Sequence, residues 1–189
     1  MFLCLTVHEV SHGLAAYAMG DPTARRMQRL SLNPLHHIDW FGLAAMVLCG
    51  FGWAKPVPVD PRYFKNPKRG MALCALAGPV SNLLLAMLLL LLARGGAAAG
   101  AEGLTAFAVT TAYLSVGLGM FNLIPLPPLD GSKVLAALLP DRVYAIWMRY
   151  ERIGMLLVFA LVLLGVGDNV LTRLIQTVYY WLTVLIFSF

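Results

Sequence analysis

His8, Glu9 and His12 stand within five positions near the start of the chain, in the order His-Glu-Val-Ser-His. On a helix, residues four apart share a face, so the two imidazoles can turn toward one metal ion. Glu9 then sits beside the metal's open position, where a carboxylate can take a proton from water. Imidazole and carboxylate donors suit zinc, and a catalytic zinc site keeps three protein ligands and one open position. Two histidines therefore require a third ligand from elsewhere. Four residues are candidates: Asp130, Asp39, His36 and His37. The last three lie in a basic loop, where a solvated or hydrogen-bonding role is the ordinary reading. Asp130 follows Pro125, Pro127 and Pro128, which forbid regular helix and hold the approach to the carboxylate fixed.

The segment carrying these histidines is apolar from Phe2 to Met19. Ionisable groups inside such a segment are costly and point to function rather than packing. It lacks the basic region that opens a secretory signal and reads as a mature transmembrane helix. Of the 189 residues, 60% are hydrophobic and 12% charged, which excludes an ordinary soluble domain and leaves an integral membrane protein. Apolar runs over 71–93, 105–124, 153–167 and 170–189 reach or approach the length that crosses a hydrocarbon core. The expected fold is thus an all-α membrane bundle of about five spans, forming one membrane-embedded domain over 1–189. Its catalytic core covers about 1–131, and a C-terminal helical pair covers about 150–189. Residues 40–52 are short, apolar and interrupted by glycine, and they lead into Lys55-Pro56-Val57-Pro58-Val59. They predict a re-entrant or β-hairpin element near 40–59 that lines a cavity.

Basic residues cluster after the first helix, before the run at 71, and between the third and fourth long runs. These clusters read as orientation signals that keep their loops cytoplasmic, not as a nucleic-acid surface. Cys4, Cys49 and Cys74 sit in apolar stretches without CxxC spacing, as packing thiols do.

Three patterns occur in order: His8-Glu9-x-x-His12, then Gly78-Pro79-x-x-Asn82, then Asn122-Leu123-Ile124-Pro125 leading to Leu129-Asp130-Gly131. Together they closely resemble the site-2 protease family of intramembrane zinc metalloproteases. Ser31-Leu32-Asn33-Pro34 and Gly52-Trp53-Ala54-Lys55-Pro56-Val57-Pro58-Val59 resemble its compact subgroup, which has neither a PDZ nor a nucleotide-sensing domain. The resemblance implies one Zn2+ held by His8, His12 and Asp130, with Glu9 as general base. Asn82 and Asn122 would line the catalytic cleft, where an amide can donate to the developing oxyanion. It further implies a transmembrane-helix substrate in the lipid bilayer, such as a membrane-anchored regulator or a leftover signal peptide. The expected location is the plasma (inner) membrane, with the active site toward the cytoplasm. The competing readings are a metal-binding transporter and an inactive, helix-binding adaptor. Glu9 beside the histidines argues against the first, and the complete set of catalytic side chains argues against the second.

Overall fold

The computed structural model describes residues 1–49, 52–149, 151–165 and 167–188. Helix α1, Phe2–Ala18, carries the first motif and stops at Gly20, whose φ of 103° no ordinary helix continues. A single turn, α2 (Thr23–Arg26), follows. Helix α3, Trp40–Cys49, starts on Asp39, whose Oδ1 accepts from Phe41 N and Gly42 N at 2.9 and 3.0 Å.

Helix α4, Pro67–Ala98, is the spine of the fold and packs against α1, against α5 (Glu102–Asn122) and against α6 (Asp130–Leu138). Its start combines Asn66, whose side chain accepts from Arg69 N at 3.1 Å, with proline at the first helical position. Its 32 residues span roughly 48 Å at 1.5 Å per residue. Small residues bring α5 close: Ala108, Ala112 and Ser115 are fully buried, and a Cβ on Gly119 would lie 3.2 Å from Pro79 O. Ser115 Oγ also donates to Asn82 O at 2.8 Å.

Between α5 and α6 the chain turns through Leu123–Leu129, with a cis bond at Pro127–Pro128. Gly131 then lets α6 lie directly on the end of α5, since a Cβ there would meet Leu123 O at 2.1 Å. This contact brings the start of α6 back toward α4. Helices α7 (Asp141–Arg149), α8 (Glu151–Leu163) and α9 (Asp168–Phe187) complete the chain. α9 closes an apolar cluster in which Ile186 joins Leu89, Leu90, Ala112 and Val116. Arg94 Nη1 holds its end through Ile186 O at 2.7 Å.

The fold is all-helical and membrane-spanning. Among the described residues, three helices are long and apolar enough to cross a membrane: Pro67–Ala98, Glu102–Asn122 and Asn169–Phe187. The other two expected spans, α8 and α1, are shorter. α8 has 13 residues, about 20 Å of helix, and its apolar run is cut by Gly165 and Gly167 at φ 63° and 87°. α1, at 17 residues, is at the lower limit of a spanning length. Near 40–59, where a re-entrant or β-hairpin element was expected, the described residues form no hairpin ladder. There is no strand among the described residues, only an isolated bridge between Ile38 and Ala54, supported by Lys55 N donating to His37 O at 2.9 Å. The excursion is instead a helix and a returning chain pressed together through glycine, since a Cβ on Gly42 would lie 2.1 Å from Trp53 O. Four prolines flank or interrupt the return, at 56, 58, 61 and 67, and deprive it of ladder donors.

Candidate metal centre

The helical repeat places His8 and His12 one turn apart on the face of α1 that meets α4, with ring centroids 4.6 Å apart and planes at 89°. Each ring is held from behind. His8 Nδ1 lies 3.2 Å from Asn82 Oδ1, and His12 Nδ1 lies 2.7 Å from the backbone carbonyl of Cys74. Both partners are acceptors, so each Nδ1 carries the proton and each Nε2 presents a lone pair. The two lone pairs converge on Asp130, whose Oδ2 is 3.1 Å from His8 Nε2 and 3.2 Å from His12 Nε2. One ligand atom from each of the three residues lies within 4.8 Å of the others.

Without a cation this arrangement is unfavourable. Asp130 Oδ2 is buried and has no hydrogen-bond partner, and it faces two ring nitrogens whose protons are on their other side. A metal ion satisfies all three donors at once, and two imidazoles with a carboxylate form a donor set that suits zinc. The surroundings fit the same conclusion. At Gly78 a Cβ would lie 2.5 Å from His12 Nε2 and 2.6 Å from His8 Cε1, so only glycine leaves the rings their place.

The donors open onto a cavity of about 280 Å3. Glu9, Asn122 and Lys133 line it alongside the three candidate ligands, and Pro56, Val57 and Val59 form the facing wall. Glu9 Oε2 accepts from Val57 N at 2.8 Å. The wall is tied down a second time by Asp21, which is fully buried, caps Thr23 and accepts from Asp60 N at 2.7 Å. Arg62 in turn hydrogen-bonds Asp60 and holds its carboxyl below the usual carboxylate range.

The six residues singled out from the sequence do not occupy equivalent places. His8, Glu9, His12, Asp130 and Asn122 share the cavity. Asn82 is fully buried behind His8, and its Nδ2 donates to Ser115 O at 3.4 Å. Asn122 Nδ2 donates to Leu118 O at 3.0 Å. The other third-ligand candidates are elsewhere: His37 Nε2 meets Ser31 O at 2.8 Å, Asp39 caps α3, and His36 is exposed. Cys4 and Cys74 are buried free thiols; the side chain of Cys49 lies outside the described residues. Sequence reasoning missed the Cys74 carbonyl, the Gly78 cradle, Lys133 and Asp21. Of these, Gly78 had a signal, its place directly before Pro79 within an apolar run.

Comparison with known proteins gives the family. Residues 90–165 match the model of peptidase family M50. The chain is 40% identical to YwhC of Bacillus subtilis (strain 168), over 90% of this chain and 81% of that protein. It is 30% identical to Rip2 of Mycolicibacterium smegmatis (strain ATCC 700084 / mc(2)155), over 71% of this chain and 53% of that protein. Both relatives are named as candidate zinc metalloproteases. No solved structure matches. With relatedness over most of its length and three apolar helices of spanning length, the chain belongs to peptidase family M50, the site-2 protease family, and is a membrane-embedded zinc metalloprotease.

Proposed function

We propose that His8, His12 and Asp130 hold the zinc, that Glu9 is the general base, and that the enzyme cuts peptide bonds within or beside transmembrane segments of other membrane proteins. The observation that carries this reading is the unpartnered, buried Asp130 Oδ2 facing two Nε2 lone pairs, with Glu9 on the same cavity. Zinc bound there would act as a Lewis acid and bring the pKa of water to about 7. The chain's own residues do the rest. Val57 N–H fixes one oxygen of the Glu9 carboxylate and leaves the other to accept the proton of the attacking water. Glu9 then returns that proton to the amide nitrogen as the C–N bond breaks.

In this scheme Asn82 is a positioning residue. Its Oδ1 sets the tautomer of His8, and its amide nitrogen is turned to Ser115 rather than to the cavity. Asn122 stands on the cavity wall, where it can meet substrate. The segment Lys55–Val59 is the wall along which an extended substrate would lie. Lys55 and Val57 have committed their N–H groups to His37 O and Glu9, Pro56 and Pro58 have none, and Arg29 donates to the carbonyls of Lys55 and Pro56, so an extended substrate has only part of this backbone left to pair with. A substrate helix must therefore unwind before it is cut, and helices that resist unwinding resist cleavage. The loop charges orient the site toward the cytoplasm, in the plasma membrane of the source cell. Membrane-anchored regulators and signal-peptide remnants are the substrate classes that fit.

Cleavage of a panel of reconstituted single-span substrates by wild type and Glu9→Gln, with zinc quantified in both, tests the reading. The expected result is equal zinc, with cutting by wild type alone. Cutting by both proteins would refute the role of Glu9.

A further inference from the structure

Peptide hydrolysis places negative charge on the scissile carbonyl oxygen, and an effective site aims a donor at it. The two asparagines are the obvious donors in the sequence, yet both give an N–H to the helix bundle: Asn82 Nδ2 to Ser115 O at 3.4 Å and Asn122 Nδ2 to Leu118 O at 3.0 Å. Asn82 is moreover fully buried and does not line the cavity. The histidine Nδ1 protons point away from it, toward Asn82 Oδ1 and Cys74 O, and the Cys74 thiol donates to His12 O at 3.2 Å. Lys133 brings a cation to the same cavity. It lines the cavity, lies one helical turn beyond Asp130, and holds its Nζ 4.0 Å from Asp130 Oδ1, the oxygen turned away from the histidines. Its ammonium therefore stands one carboxylate away from the point where the three ligand atoms converge. Its side chain is 23% exposed.

We propose that Lys133 is a catalytic residue that donates to the carbonyl oxygen of the scissile bond, a role that rests on the proteolytic reading above. As the water oxygen adds to the carbonyl carbon, the water proton passes to Glu9 and the C=O π electrons move onto oxygen, where the Lys133 ammonium meets them. When the C–N bond breaks, the electron pair returns to restore the carbonyl and the Glu9 proton goes to the leaving nitrogen. Lys133 keeps its proton throughout. A cation suits this place better than a neutral amide, because charge-assisted hydrogen bonds are roughly twice as strong.

The test uses zinc-loaded full-length wild type, Lys133→Met and Lys133→Arg in detergent, with three readouts. These are zinc stoichiometry, affinity for an apolar peptide phosphonate whose anionic oxygens mimic the tetrahedral state, and kcat and KM on a single-span substrate. The expected outcome for K133M is full zinc, a 10²–10³-fold loss of phosphonate affinity and a matching fall in kcat with KM unchanged, as for loss of an oxyanion donor. K133R recovers much of both, since it restores a cation. K133M that binds phosphonate like wild type, or that loses its zinc, would overturn the assignment; in the second case Lys133 only positions Asp130. Wild type that fails to bind phosphonate at all would count against proteolysis itself, and Lys133 would fall with it.

Discussion

Two cavities in this protein make opposite use of the same helices. The larger, about 410 Å3, runs between the start of α1, the α3 excursion and α5, and is walled almost wholly by apolar groups such as Leu43, Met46, Leu114 and Phe121. The smaller, about 280 Å3, lies farther along α1, where α4 and α6 meet it, and contains every group able to bind a metal or move a proton that the motifs supply. Volume alone would direct attention to the wrong one. What separates them is the fate of polar atoms. Around the smaller cavity each imidazole Nδ1 has its own acceptor and Asp130 Oδ2 has no hydrogen-bond donor, a pattern that an apolar groove cannot produce and a metal resolves.

If that difference is correct, substitutions should rank by their distance from the convergent donors. The largest effect is expected for Asp130→Ala, which removes the third donor: zinc falls to background by elemental analysis and cleavage falls with it, as chelation should do to wild type. Next is Gly78→Ala, whose new Cβ drives into both rings; zinc affinity should drop about 100-fold, read by competition with a metal indicator. Asn82→Ala frees His8 to flip or change tautomer and should cost roughly 10-fold in zinc affinity, whereas Asn82→Asp, which keeps an acceptor, should cost less. The smallest effect is expected in the apolar cavity. Leu114→Ala should leave zinc unchanged and kcat within about twofold, and any change should appear in KM. An L114A enzyme that loses zinc, or a G78A enzyme that binds it normally, would erase the contrast between the two cavities.

The chemistry was more legible in the sequence than the architecture around it. His8 and His12 advertise themselves because a four-residue spacing survives any packing, and Asp130 because prolines isolate it. Even so, the sequence left four third-ligand candidates, and only tertiary structure put Asp39 on a helix cap and His37 on Ser31. The support of His12 was invisible for a general reason: it comes from the backbone carbonyl of Cys74, and any residue at that position carries the same group. Asn82 was recognised as important but assigned to the cleft, because residue type does not reveal which side of an imidazole an amide occupies. Span lengths were harder to read, because composition hides geometry. The run at 153–167 is apolar throughout most of its length, yet the helix ends at Leu163, ahead of Gly165 and Gly167 at positive φ. Likewise the glycines of 40–52 suggested a re-entrant or hairpin element, and Gly42 serves close packing within a helix.

The most direct test of the central claim is zinc-edge X-ray absorption on the purified, zinc-loaded protein in detergent, repeated on His12→Ala. The account predicts a first shell of two imidazole nitrogens and oxygen donors, without sulfur, and loss of one imidazole signal or of the zinc itself in H12A. A sulfur ligand from Cys74, or a spectrum unchanged by H12A, would show that His8, His12 and Asp130 are not the residues that hold the metal.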